Sequence, residues 1–302
     1  MTTTAPAPER VSVPAQKRPL RPARVMLHVF LTFIAVSWLA PLLWTLYTSL
    51  RPYSDTAKRG YFSLPGTLNF DNYVNAWVEA ELPKYYLNTL LVAIPGVILT
   101  LLLASFVAFG VSRFSWRGNI ALLILFTAGN LLPQQILLTP LYRLYLQIPL
   151  SEWMSDSFLL YDSYWGIIAI HVAFQIGFCA FVLSNYMKTL PTELTEAAIV
   201  DGASVWRQYW NVILPLCRPA LAALATLEFT WIYNDFLWAL VLMNSGDKRP
   251  VTSALANLIG VYFKDDNKLA AASMLVAIPT LVVYFALQKH FISGLTLGAN
   301  KG

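Results

Sequence analysis

The run 25–50 is 26 residues long and contains no Asp, Glu, Lys or Arg. A helix needs about 20 apolar residues to cross the hydrocarbon of a bilayer. In lipid every backbone N–H and C=O must be satisfied within the segment, so such a run has to be helical. Five further apolar runs follow, at roughly 85–111, 119–141, 164–187, 220–243 and 269–291. Only 12% of the chain is charged and 57% is hydrophobic, whereas a soluble domain has about 25% charged residues. The expectation is an all-α membrane protein with six transmembrane helices. Residues 1–24, rich in Pro, Ala, Thr and Arg, cannot bury a core and read as a flexible tail. The domain of six spans is then 25–302.

Six spans put both termini on one side. With the N-terminus in the cytoplasm, twelve of the 21 Lys and Arg residues lie inside, including Lys17, Arg18, Arg21 and Arg24 just before the first span. That bias favours this orientation. The net charge of +5 therefore points to lipid headgroups rather than nucleic acid. Cys179 and Cys217 fall in or beside apolar runs without metal-ligand spacing, and no disulfide is expected from them. His28, His171 and His290 are lone histidines in or at the ends of spans, better read as packed residues than as ligands.

One stretch, 191–216, breaks the apolar pattern. Thr192 can cap a helix, and Glu193 and Glu196 suit its positive end. Ala197 and Ala198 form helix without bulk. Gly202 permits a turn that residues with a Cβ resist. Val205, Trp206, Tyr209, Trp210 and Ile213 then paint an apolar stripe at helical spacing, and Pro215 and Pro219 close the segment. The expectation is a helix–turn–helix on the cytoplasmic face. It could lie in the lipid interface, or it could meet a protein partner. Its leading end is acidic, where an interfacial helix would carry Lys or Arg, and this favours the partner.

Glu196-Ala197-Ala198, Gly202 and Val212-Ile213-Leu214-Pro215 resemble the cytoplasmic motif of bacterial ATP-binding-cassette import permeases. The usual residue at the position of Val212 is Ile. The longer string EAAIVDGASVWRQYWNVILPLCRPALA, together with WIYNDFLWAL and the C-terminal QKHFISGLTLGANKG, is similar to the carbohydrate-uptake branch. The similarity covers residues 25–302 and is nearest to the maltose-type second permease. The resemblance implies a type I importer permease in the bacterial inner membrane and a pair of coupling helices. Those helices would dock on a separate ATPase through Glu196, Ala197, Ala198, Asp201, Gly202, Ile213, Leu214 and Pro215. It implies as partners a second, different permease, two ATPase subunits and an extracytoplasmic sugar-binding protein. It also implies a short interfacial helix within 51–84.

The energy source is not legible in this chain. A phosphate cradle of the form GxxxxGK(S/T) is missing, and GLTLGANKG has the wrong spacing. No catalytic set or metal cluster stands out, so ATP and Mg would be bound by the partners. The fifth run carries Glu228 and Asp235 seven residues apart, with Trp231 and Ile232 between them on the same helix face. Intramembrane acids usually face a bundle interior or a wet path. Glu228, Trp231, Tyr233, Asn234 and Asp235 are therefore candidates to line a substrate path, since aromatic faces and hydrogen-bonding groups suit a sugar. The alternative is that Glu228 pairs with another span and Trp231 only packs. Asn130, Gln134, Gln135 and Gln175 could line the path or bond between helices. The rival function is an ion-coupled carrier or channel using Glu228 and Asp235, but it leaves the 191–216 stretch unexplained.

Overall fold

The computed structural model describes residues 22–129, 133–258 and 265–296. Most of the expected tail, Asn130 and the end of the C-terminal motif lie outside the described residues. By contacts the chain separates into two compact units, 1–45 and 46–302. The described part of the first is apolar helix, the start of α1 (Pro22–Ser49), with Pro41 inside it.

In the second unit the order is α2 (Tyr53–Arg59), α3 (Asp71–Glu79), α4 (Leu82–Arg113), α5 (Asn119–Ala128), α6 (Gln134–Tyr145), α7 (Tyr164–Thr189) and α8 (Glu193–Val200). There follow α9 (Val205–Arg207), a π-helical turn (Gln208–Ile213), α10 (Leu214–Leu216), α11 (Arg218–Tyr233), α12 (Leu237–Leu242), α13 (Val251–Ala254) and α14 (Asp266–Thr296). Among the described residues the only β pairing is an isolated bridge between Pro149 and Leu159.

Four helices, α1, α4, α7 and α14, are long and apolar enough to cross a membrane. A fifth is added if Val205–Leu216 and Arg218–Tyr233, which meet at 73°, count as one bent span. The described residues thus fall short of the six expected. In the third run α5 ends at Ala128 and α6 begins at Gln134, after Pro133, with residues 130–132 outside the described ones. The fifth run is broken. α11 stops at Tyr233, and the Asp235 carboxylate accepts the N–H groups of Trp238 (3.2 Å) and Ala239 (3.1 Å), which starts α12 afresh.

The core is the seam between α4 and α7. Ala104, Ala108, Cys179, Ala180 and Leu183 are fully buried in one cluster. α11 packs beside them, where a Cβ at Gly96 would stand 3.0 Å from Ile232 Cδ1. Small residues let helix backbones approach closely in lipid.

Polar bonds tie the loops at one end of this bundle. Asn88 donates to the carbonyls of Asp247 (2.7 Å) and Arg249 (3.1 Å) and accepts from Tyr164 Oη (2.8 Å). Asp162 accepts the N–H groups of Asn244 and Ser245, both at 2.9 Å. At the opposite end Tyr209, 1% exposed, places its hydroxyl 2.7 Å from Ser105 Oγ of α4 and packs on Phe106 and Phe109. Replacing either partner of this bond, as Tyr209→Phe or Ser105→Ala, should cost about 1 kcal/mol. The double variant should cost no more than the larger single loss, which thermal unfolding of the purified protein checks as a double-mutant cycle.

The segment after α1 is held by Arg51, which is 1% exposed. Its guanidinium donates to Asp55 (2.9 and 3.1 Å), to Ser63 Oγ (3.0 Å) and to Tyr61 O (3.1 Å). Asp55 also meets Arg59 at 3.1 Å and accepts the Gly66 N–H. Burial pushes the Asp55 carboxyl up, but the hydrogen bonds and charges from Arg51, Gly66 and Arg59 outweigh it and hold the carboxyl below its usual 3.8. Its charged form therefore stabilises the folded loop above the unfolded value, and that contribution fades as pH falls through the lowered one. Protection of residues 51–70 from an acid-active protease should hold down to pH 3.8 and fail below it. In Asp55→Asn, protection should already be weaker at neutral pH and lose this acid step.

Candidate functional site

The 191–216 stretch folds as two short helices around a glycine. Gly202 has φ +74°, a left-handed conformation, with open space where a Cβ would stand. An L side chain there would be strained by about 1–2 kcal/mol. Thr192 does not cap α8 with its side chain, in contrast to the expectation; its backbone is already helical (φ −69°, ψ −28°), whereas a capping residue is typically extended. Ser204 does cap the second helix and accepts the Arg207 N–H at 3.4 Å. Gln208 is buried and donates from Nε2 to Ala203 O at 2.9 Å, bracing the turn.

Of the expected apolar stripe, Tyr209 and Ile213 are buried and Val205, Trp206 and Trp210 are more exposed, while the rings of Trp206, Tyr209 and Trp210 all meet Phe106 of α4, at 5.6, 4.7 and 6.2 Å between centroids. A π-helical turn runs through Gln208–Ile213. Glu196, Ala197, Asp201 and Gly202 are exposed, Ala198 is buried, and Leu214 and Pro215 are half-buried. Ile199 and Val200 are 59% and 87% exposed. The pair thus has one side fixed to α4 and another offering acids, small residues and bare apolar groups. Arg113, at the end of α4, donates to Leu190 O at 3.4 Å in the link to α8.

A second feature is a cavity of about 430 Å³ lined by Gln134, His171, Phe174, Gln175, Phe178, Trp231, Asp235 and Trp238. Its rings come in pairs: Phe174 with Trp238 at 5.5 Å and Phe178 with Trp231 at 5.4 Å between centroids. His171 Nε2 lies 3.5 Å from Asp235 Oδ2 but makes no hydrogen bond, and neither does the buried Gln175 Oε1.

The structure separates the expected path residues. Trp231 and Asp235 line the cavity. Glu228 does not share a helix face with Asp235, because α11 ends between them. Glu228 is fully buried against α7 and accepts from Cys179 Sγ at 3.1 Å. Tyr233 is buried on the other side, its hydroxyl donating to Val276 O of α14 at 3.0 Å. Asn234 is exposed and donates back to Thr230 O at 2.8 Å. His171, read from sequence as a packed residue, stands in the cavity wall, as do Gln134 and Gln175. The i, i+3, i+4, i+7 spacing of His171, Phe174, Gln175 and Phe178 was the available signal, since it marks one helix face.

Residues 85–296 match the family described as the binding-protein-dependent transport system inner membrane component. A probable ABC transporter permease of Pyrococcus horikoshii is 34% identical, over 87% of this chain and 92% of its own. The diacetylchitobiose uptake system permease of Streptomyces coelicolor is 32% identical, over 90% of this chain and 87% of its own. Among solved structures, a bacterial ABC transporter involved in importing the acidic polysaccharide alginate is similar in fold, with a TM-score of 0.76 at 23% identity over 92% of this chain and 100% of that one. The chain belongs to the binding-protein-dependent transport family and is a multi-pass inner-membrane permease subunit of an ABC importer.

Proposed function

We propose that this permease carries a sugar or oligosaccharide into the cell and is driven by separate ATPase subunits that grip the α8–α10 segment. The observation that carries the reading is the two-faced helix pair. One face is fixed to α4 through Tyr209 and Ser105, while Glu196, Asp201, Ile199 and Val200 are left open. A surface of small, acidic and apolar groups fits a cleft on a protein better than a lipid headgroup layer. Glu196, Ala197, Ala198, Asp201, Gly202, Ile213, Leu214 and Pro215 form or support this handle. The sugar reading draws on the named diacetylchitobiose relative and on the paired aromatic rings of the cavity.

The remaining parts follow from the importer reading. ATP and Mg are bound by two partner ATPases, and this chain supplies no ATPase site of its own. A second, different permease completes the path, and an extracytoplasmic binding protein delivers the solute. The helix pair and both termini face the cytoplasm. Of the path residues, Trp231 and Asp235 act at the cavity, Asn234 lies at its broken helix, and Glu228 and Tyr233 hold α11 to its neighbours.

Mild purification from native membranes should bring down an ATPase and a second permease. Glu196→Lys should abolish ATP-driven uptake while the protein still inserts, because a reversed charge meets the ATPase cleft. Gly202→Val should weaken uptake and co-purification together, since the turn is strained. Repeated purification of the chain alone after membrane crosslinking, or unchanged uptake in Glu196→Lys, would overturn the coupling role.

A further inference from the structure

We propose that the turn between α4 and α5 is a headgroup site for an anionic phospholipid, with Arg113, Arg117 and Lys188 taking its phosphate. The inference takes from the importer reading above only that this end of the bundle faces the cytoplasm. It adds a membrane ligand outside both the cavity and the helix pair.

The first observation is a cation without a counter-charge. Arg113 ends α4 and is half-buried. Among the described residues it makes no ion pair. Both Nη atoms donate to one neutral acceptor, Leu190 O, at 3.4 Å each, where a well-formed N–H···O bond spans about 2.7–3.2 Å. Its Nε is buried and has no acceptor among the described residues. A buried charge without a partner is costly. A guanidinium holds phosphate oxygens through two parallel N–H bonds, a geometry that a lone carbonyl does not offer. The partner that Arg113 lacks is therefore an anion.

Two further cations stand at the same level. Ser112 Oγ donates to Met187 Sδ at 3.6 Å, which sets the ends of α4 and α7 level and brings the exposed Lys188 to the height of the turn. Arg117, also exposed, follows within the turn itself. The turn has a fixed form. Asn119 Nδ2 donates to Val111 O (3.1 Å) and Phe114 O (2.6 Å), and the Phe114 ring meets the buried Phe109 edge-on at 5.6 Å between centroids. A headgroup held here would border the helix pair, because Arg113 meets Leu190 in the link to α8 and Phe109 also packs on Tyr209 at 5.3 Å.

The surroundings decide which anion. Between the two arginines Phe114 and Trp116 are exposed. α5 starts at Asn119 and has no buried residue, and its Ile120, Ile124 and Leu125 are bare. An apolar wall rising from a basic, aromatic turn is the profile of a bilayer interface. There acyl chains cover the wall, Trp sits at headgroup level, and Arg and Lys meet phosphate. A soluble anion would gain nothing from the wall. The surface offered to the ATPase differs in sign, since the first turn of α8 carries Glu193 and Glu196.

The test is native mass spectrometry of the assembled importer in a neutral detergent. It is titrated with phosphatidylglycerol, with phosphatidylcholine of the same chains, or with glycerol 1-phosphate. Phosphatidylglycerol should bind at least about tenfold more tightly than phosphatidylcholine. Arg117→Gln and Lys188→Gln should each weaken phosphatidylglycerol by about fivefold, the scale of one basic residue at an anionic surface. Lys58→Gln, an equal loss of charge in α2, should leave its binding unchanged. Arg113→Gln should weaken it at least as much as the other two, and those exposed variants carry the test if Arg113→Gln fails to assemble. Equal binding of the two lipids, or phosphatidylglycerol binding that survives both Arg117→Gln and Lys188→Gln, overturns the site and leaves annular lipid only. Glycerol 1-phosphate binding as tightly as phosphatidylglycerol overturns the lipid in favour of a free anion. Variants that lose the ATPase from the assembly but keep phosphatidylglycerol give the turn to the ATPase instead. A chain that purifies without an ATPase removes the importer reading, and the lipid titration is then read on the permease alone.

Discussion

The close packing of α4 on α7 is the constraint on which the other features depend. Lipid tails are as apolar as leucine, so burying apolar surface against another helix yields little driving force in a bilayer. Fit has to supply it. Ala104, Ala108, Cys179 and Ala180 are fully buried and small, and they allow the two backbones to approach until dispersion contacts accumulate. With α4 and α7 locked, α11 is received at Gly96. Tyr209 then finds Phe106, Phe109 and Ser105 on a fixed surface. The helix pair is anchored because the seam above it is tight. The cavity has a stable wall because His171, Phe174, Gln175 and Phe178 all stand on α7.

Much of this was legible in the sequence, and the failures are informative. The long apolar runs at α1, α4, α7 and α14 announce themselves by length alone. The glycine turn at Gly202 follows from the one residue type at ease with φ +74°. Hydropathy did not reveal that the fifth run is broken. Asn234 and Asp235 are short polar residues that compete for backbone N–H groups, and that chemistry stops one helix and starts another. Counting seven residues from Glu228 to Asp235 assumed an unbroken helix, so the shared face dissolved with the break. The stripe from Val205 to Ile213 was legible from its spacing, and its rings Trp206, Tyr209 and Trp210 meet Phe106 of α4; the π-helical turn within it was not, because a pattern counted at 3.6 residues cannot anticipate one.

His171 shows the limit of reading residues singly. Alone in an apolar run it is best taken as a packed side chain. Its significance comes from Asp235, 64 residues later by sequence number and 3.5 Å away in space. Gln134 and Gln175 are similar, since neither defines a site until the broken α11–α12 turn brings Trp231 and Trp238 around them. Glu228 runs the opposite way. An acid in mid-span drew attention as a path residue, yet it is enclosed with the Cys179 thiol as its donor. Burial of a polar group demands a partner, and Cys179 on the neighbouring helix supplies one to Oε1, while Oε2 has none among the described residues.

The arrangement bears on how an external motor could act on a solute. α7 carries Gln175 near its middle and runs on to Thr189, directly before the helix pair. α11 starts at Arg218, directly after the pair, and reaches Trp231 near its far end. At 1.5 Å per residue each connection is a helical rod of roughly 20 Å. Both walls of the cavity are thus joined to the helix pair by long helices, with a short link at 190–192 between α7 and α8. A displacement of the handle by a partner would arrive at Gln175 along one rod and at Trp231 along the other. The rods enter at opposite ends of the pair, and the 73° bend between Val205–Leu216 and α11 gives them different directions. A single push would therefore shift the two walls unequally. Unequal motion of its walls is what a cavity needs if it is to hold a ligand in one state and release it in another, and packed interfaces of this kind switch between arrangements rather than deform smoothly.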